Sequence, residues 1–261
     1  MNDPNPLPGP VGSPPSYDGQ ANAPQMVRVR MPHSKPWVTY TIMGLTIFIF
    51  LLQLAEPYLL GTDYVTEYGI KANEAIAAGQ VWRLFTPMLL HGSLLHIAFN
   101  MYALFAFGTR LELFYGHWRF LAMYVVAGFA GNVLSYAFSP AASLGASTAI
   151  FGLLGAEGVF LFRNWKLFGN AARRDLQNLV ILLVVNLLIG LNARFDNWGH
   201  LGGLIGGVAF AWLAGPLLEI GFDEKGPVFR DRHGDREAII ALVIVGMSFA
   251  ILALVVTLTR A

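Results

Sequence analysis

The sequence predicts an all-α, polytopic membrane protein. Three observations carry this. Of 261 residues, 55% are hydrophobic and only 13% are charged, about half the charged share of a soluble domain. The mean hydropathy is +0.54. The apolar residues are gathered into stretches near the ~20 residues that a helix needs to cross a bilayer. A net charge of +1 leaves no basic stripe for a nucleic-acid backbone. The absence of cysteine removes disulfides, thiolate metal sites and a cysteine nucleophile together.

Seven stretches read as spans: Trp37–Leu60, Leu94–Leu113, Phe120–Phe138, Leu144–Phe162, Leu179–Leu191, Trp198–Leu218 and Ile239–Thr259. The fifth is short, and residues such as Leu176 are expected to extend it. Ahead of them, residues 1–36 are polar and rich in proline, with Pro4, Pro6, Pro8, Pro10, Pro14 and Pro15. Such a composition buries too little apolar surface to fold, so it reads as a disordered cytoplasmic tail. The first apolar run is too long and too late for a cleaved signal, so it reads as a retained span. With no targeting peptide in view, a bacterial plasma membrane is the expected location. Residues 61–93 form a long external loop with aromatic and acidic residues, expected to fold onto the membrane surface. Residues 219–238 read as a charged cytoplasmic linker, which sets the seventh helix, within 239–261, apart from a compact group of six at 37–218. No internal repeat is visible, which disfavours an inverted-repeat transporter.

In a bilayer the informative residues are the polar ones, because they are costly there and face a protein interior or a wet cavity. Ser147 lies in Gly145-Ala146-Ser147-Thr148 near the start of the fourth span. A lone membrane serine is commonly helix-packing material. At a helix N-terminus, however, unpaired backbone N–H groups can stabilise an oxyanion. His200 lies near the start of the sixth span, with Gly203 and Gly207 on its helical face. Glycines there let another helix approach closely, and the fourth span offers Gly152 and Gly155. Such packing would bring a base to Ser147, whose hydroxyl is a weak nucleophile without one. His96 and Asn100 share a face of the second span, one turn apart. They can donate to an oxyanion or serve as interhelical glue. His91 sits at the mouth of that span, where a surface role is expected. His33, His117 and His233 fall in loops or tails, and Asn132, Glu157 and Asn186 show no partner in sequence. A His-Glu-x-x-His zinc motif is absent.

Together these features resemble the rhomboid family of intramembrane serine proteases, over about Trp37–Leu218. Five motifs occur in that family's order: Trp82-Arg83 in the first external loop, His96-x-x-x-Asn100, Gly108-x-x-x-Glu112, Gly145-x-Ser147, and His200-x-x-Gly203-x-x-x-Gly207. The resemblance implies a six-helix core with one added C-terminal helix. It also implies a Ser147–His200 dyad without an aspartate, and an oxyanion held by the Ser147 N–H, His96 and Asn100. Transmembrane protein substrates would enter laterally past the fifth span and be cut near the outer face, where a weakened helix exposes its carbonyls. No metal or organic cofactor is implied. The sequence departs from the family at Thr148, where glycine often follows the nucleophile; a larger residue there narrows the site or alters the packing. Two other readings compete. An inactive relative that binds membrane clients would be expected to lack Ser147 or His200. A small transporter leaves the serine and histidine motifs unexplained.

With the N-terminus inside, thirteen Lys and Arg fall on inner segments and four on outer ones, a positive-inside bias. Reporter fusions after residues 36 and 261 should therefore report opposite faces of the membrane, N-terminus inside. The same face for both would contradict the seven-span count.

Overall fold

The computed structural model describes residues 29–30, 35–190 and 196–260. Its helices are α1 (Trp37–Leu60), α2 (Tyr64–Gly69), α3 (Asn73–Ala77), α4 (Leu94–Ala103), α5 (Thr109–Tyr115), α6 (His117–Phe138), α7 (Ser147–Arg163), α8 (Trp165–Ile189), α9 (Asn197–Ala214) and α10 (Asp235–Arg260). A π-helical turn, Leu104–Gly108, joins α4 to α5. A hairpin, β1 (Leu218–Asp223) with β2 (Gly226–Asp231), lies between α9 and α10. The chain is thus an all-α polytopic membrane protein.

Among the described residues, four runs are long and apolar enough to cross a membrane by composition: α1, Leu94–Tyr115, α6 and α10. Their burial separates centre from rim. The α6 window is 78% buried, whereas α1 and α10 are 28% and 22% buried. At the centre, α9 packs on α6 and α7, and α10 lies against α6 and α9. Helices α7 and α9 are short, with 17 and 18 residues, and rich in glycine. Their inner faces meet protein rather than lipid, so they need less hydropathy to be stable there.

Glycine sets that centre. A Cβ built at Gly203 would lie 1.9 Å from the Thr148 carbonyl oxygen, and one at Gly207 would lie 2.1 Å from that of Gly152. On the adjacent face of α9, a Cβ at Gly202 would lie 2.6 Å from the Ala130 carbonyl oxygen of α6, and one at Gly206 would lie 2.6 Å from the Ala130 methyl and 3.4 Å from Ala127 Cα. The small residues therefore bring backbone against backbone on two sides of α9.

Buried polar groups tie the periphery to this core. Glu112 accepts the backbone N–H groups of Val38 and Thr39 and the Thr39 hydroxyl at 2.7–2.9 Å, so it caps the start of α1. Gly108 gives α1 room, since a Cβ there would meet Thr39 at 3.0 Å. In the loop between α1 and α4, Arg83 donates to the carbonyls of Glu67 and Ile70 at 2.7 and 2.8 Å, while Trp82 donates to Tyr68 O at 3.0 Å. The Trp-Arg pair thus satisfies carbonyls around the end of α2 and folds the loop.

Several boundaries differ from the sequence reading. The fifth span, read as Leu179–Leu191, begins at Trp165, because Arg173, Arg174 and Asp175 continue the helix. It kinks at Gly169 (φ 57°), and Leu191 lies outside the described residues. The sixth, read as Trp198–Leu218, ends at Ala214, where Gly215-Pro216 breaks it and Leu218 opens β1. Within the segment read as a linker, the hairpin is bonded to the bundle. Leu218 N donates to Asn164 at 2.8 Å, and Arg119 pairs with Asp231 at 2.6 Å. Most of the proline-rich tail lies outside the described residues. Arg30, however, bonds β2 through Pro227 O and Phe229 N at 3.0 and 3.3 Å.

Gly207→Ala should destabilise the fold by about 1–3 kcal/mol, the usual cost of overpacking, or more because its neighbour is backbone. Gly44→Ala, on an open face of α1, should be neutral or gain up to about 1 kcal/mol from helix propensity. Thermal unfolding of both in the same detergent checks this; equal melting temperatures would contradict the backbone contact.

Candidate active site

Ser147 is the first residue of α7. The chain enters it through Gly145, whose φ of +132° is open to glycine but not to L side chains. A Cβ at Gly145 would also sit 2.8 Å from the His96 imidazole. Both constraints explain the glycine two residues before the serine. His200, on the first turn of α9, brings Nε2 to 3.0 Å from Ser147 Oγ. The His200 ring lies flat on Phe151, with centroids 4.2 Å apart and planes at 5°. Phe151 is one turn beyond Ser147, so the helix that carries the hydroxyl also orients the imidazole. Among the described residues, His200 Nδ1 has no hydrogen-bond partner.

Thr148 fits because its neighbours are small. A Cβ at Gly131 would lie 2.6 Å from Thr148 Cβ, and one at Gly199 would lie 3.1 Å from Thr148 Cγ2. The threonine side chain occupies the space those two glycines leave on α6 and α9.

Ser147, His200 and His96 line one cavity of about 310 Å³. The starts of α4, α7 and α9 thus meet at one end of the bundle. Ser93 caps α4 by accepting His96 N–H at 3.2 Å. Asn100 lies one turn further in and donates its amide to His96 O at 2.9 Å; it does not line the cavity. His91 is not a surface residue: it is 2% exposed and packs edge-on against His96 at 5.0 Å. The remaining polar candidates lie elsewhere. Asn132 donates to Leu84 O, Asn186 to Leu182 O, and Glu157 pairs with Arg110 at 3.1 Å. His117 lies against Glu112, His233 against Gly215 O, and His33 falls outside the described residues.

Two cavity features are absent from the sequence reading. Lys71, fully buried, donates to Ala141 O at 2.7 Å, Ser139 O at 3.1 Å and Asn73 Oδ1 at 3.0 Å. It also exchanges backbone hydrogen bonds with Ser143 at 3.0 and 3.2 Å. Burial pushes its ammonium down to about 8, with the charge of Asp196 opposing that shift. Lys71 thereby pins the loop 139–145, which forms one wall of the cavity. Asp196 is the N-cap of α9 and lines the cavity itself. An acidic residue just ahead of an apolar helix is a readable cap signal. The reach of Lys71 across the sequence has no such local mark.

The model of the rhomboid domain family matches residues 78–217. The chain is 42% identical over 176 residues to the rhomboid protease GluP of Bacillus subtilis (strain 168), covering 67% of this chain and 34% of that relative. It is 35% identical over 182 residues to the putative rhomboid protease YdcA of the same organism, covering 68% and 88%. Over 140 residues it is 40% identical to RHOMBOID-like protein 1 of Arabidopsis thaliana, covering 52% and 36%. The chain thus spans about a third of the length of GluP and of the Arabidopsis relative, and most of YdcA. Together the matched domain and these relatives place the chain in the rhomboid family.

Proposed function

We propose that the protein is an intramembrane serine endopeptidase that cuts transmembrane substrates near the outer face of the membrane. The observation that carries this is the 3.0 Å contact between His200 Nε2 and Ser147 Oγ inside the cavity. With its proton on Nδ1, His200 accepts the Ser147 proton through Nε2 as Oγ attacks the scissile carbonyl. It then returns that proton to the leaving amine, and water, activated the same way, releases the acyl group. No aspartate holds the imidazole in this reading; the Phe151 ring does that by stacking. The backbone N–H of Ser147, at the unpaired start of α7, faces the developing oxyanion, with His96 as a second donor. Asn100 joins them if its amide turns from His96 O. Residues 37–218 form the catalytic unit, with the proline-rich tail, the segment after residue 218 and the C-terminal helix α10 outside it. The N-terminus faces the cytoplasm and the C-terminus faces outward, in a bacterial plasma membrane.

Purified protein should cleave a single-span test substrate, and Ser147→Ala and His200→Ala should each abolish cleavage without loss of fold. Near-normal cleavage by either variant would sink the mechanism. In the same assay Asn100→Ala should lower kcat by about 10²–10³-fold, the usual cost of one oxyanion donor, more than it changes KM. A variant with a lowered melting temperature and unchanged kcat would make Asn100 helix glue only.

A further inference from the structure

The catalytic reading gives the carboxylate of the cavity wall no part in the reaction. Asp196 stands one turn before His200. Its Oδ1 accepts the Gly199 N–H at 2.9 Å, and its Oδ2 accepts the Ser135 hydroxyl of α6. One oxygen is fixed by its own helix and the other by a neighbour, yet the residue is only partly buried. Among the described residues that line the cavity, Asp196 supplies the one carboxylate, and none carries an ammonium or guanidinium group. Lys71 lies behind the wall, fully buried, with its ammonium turned to the carbonyls of residues 139 and 141. Among the described residues no ion pair joins it to Asp196. A segment entering the cavity therefore meets the carboxylate and not the cation.

A chain that presents its carbonyl to Ser147 has to lie along this wall. A fixed charge beside a narrow cavity is screened less than one in bulk water. Like-charge contacts in such places select partners by rejection. We propose that Asp196 is a specificity-determining residue: its carboxylate favours substrates with a basic side chain close to the scissile bond and rejects those with an acidic one there. The proposal rests on the Ser147–His200 reading of the cavity.

Asparagine caps a helix as well as aspartate does; with its oxygen on the Gly199 N–H, its NH2 group faces Ser135 and can donate to that hydroxyl oxygen, so Asp196→Asn removes the charge and keeps the scaffold. The experiment uses single-span substrates with Lys, Gln or Glu placed at successive positions on either side of the mapped cut. The ratio of kcat/KM for Lys over Glu is read within each enzyme, so that a uniform loss of activity cancels. Wild type should favour Lys by about tenfold at one or more positions, equivalent to about 1.4 kcal/mol, and the ratio should fall as salt is raised. Asp196→Asn should bring it to within about twofold of unity, the remainder expected from weak exposed charges. Ser135→Ala, which keeps the charge, should retain the preference. A wild type indifferent to charge at every position overturns the proposal, as does an Asp196→Asn ratio equal to that of wild type, which would leave Asp196 a cap alone. If wild type cuts no substrate of the series, the catalytic reading fails and takes this inference with it.

Discussion

The close approach of α7 and α9 is the constraint on which the site depends. Ser147 and His200 are 53 positions apart and meet only because two backbones touch below them. Gly203 faces Thr148 O, and Gly207 faces Gly152 O, at distances that admit no side chain. In lipid there is little hydrophobic drive between helices, so association rests on close packing and on polar groups that find partners. Small residues supply the packing. They also set the depth, because the contact runs along both helices from their first turns. The serine and the histidine then arrive together at the cavity, and Phe151 fixes the ring that α9 brings.

Around this contact the polar residues act as fasteners rather than as a reaction centre. Glu112 caps α1, Arg83 gathers the carbonyls at the end of α2, and Lys71 gathers those of the loop 139–145. Each is 5% exposed or less, and each places charge against groups that otherwise lack partners. An unsatisfied buried polar group costs about 1–3 kcal/mol, so these bonds favour one arrangement of helices over near alternatives. Function follows from that rigidity. The part of the cavity wall that carries Ser143 is held from behind by Lys71, and Asp196 is held by Gly199 and Ser135, so the wall is a fixed surface.

Much of this was legible in the sequence because it depends on local patterns. Apolar runs marked the long helices, and the His200-x-x-Gly203-x-x-x-Gly207 spacing marked the face of α9 that packs on α7. What was missed depends on distant partners. The start of α8 was read as loop because Arg173, Arg174 and Asp175 lower its hydropathy, but helix formation needs only local hydrogen bonds and a face outside the apolar layer. The hairpin was hidden by the charges of residues 219–238, although Glu224-Lys225-Gly226 marks a turn between Ile220 and Val228. His91 was expected at the surface because it precedes a helix; in the fold its N–H donates to Gln53 of α1 and its ring packs against His96 of α4. Thr148 stood out as a departure, and its explanation lies in Gly131 and Gly199 on two other helices.

The central claim is that this packing makes Ser147 nucleophilic by placing His200 on its hydroxyl. Treatment of the folded protein with a serine-directed phosphonate, followed by peptide mass mapping, tests it most directly. The account predicts an adduct on Ser147 that is lost in His200→Ala and greatly slowed in Gly203→Ala. Labelling of Ser147 at an undiminished rate without His200, or a folded wild type that takes no label, would contradict it.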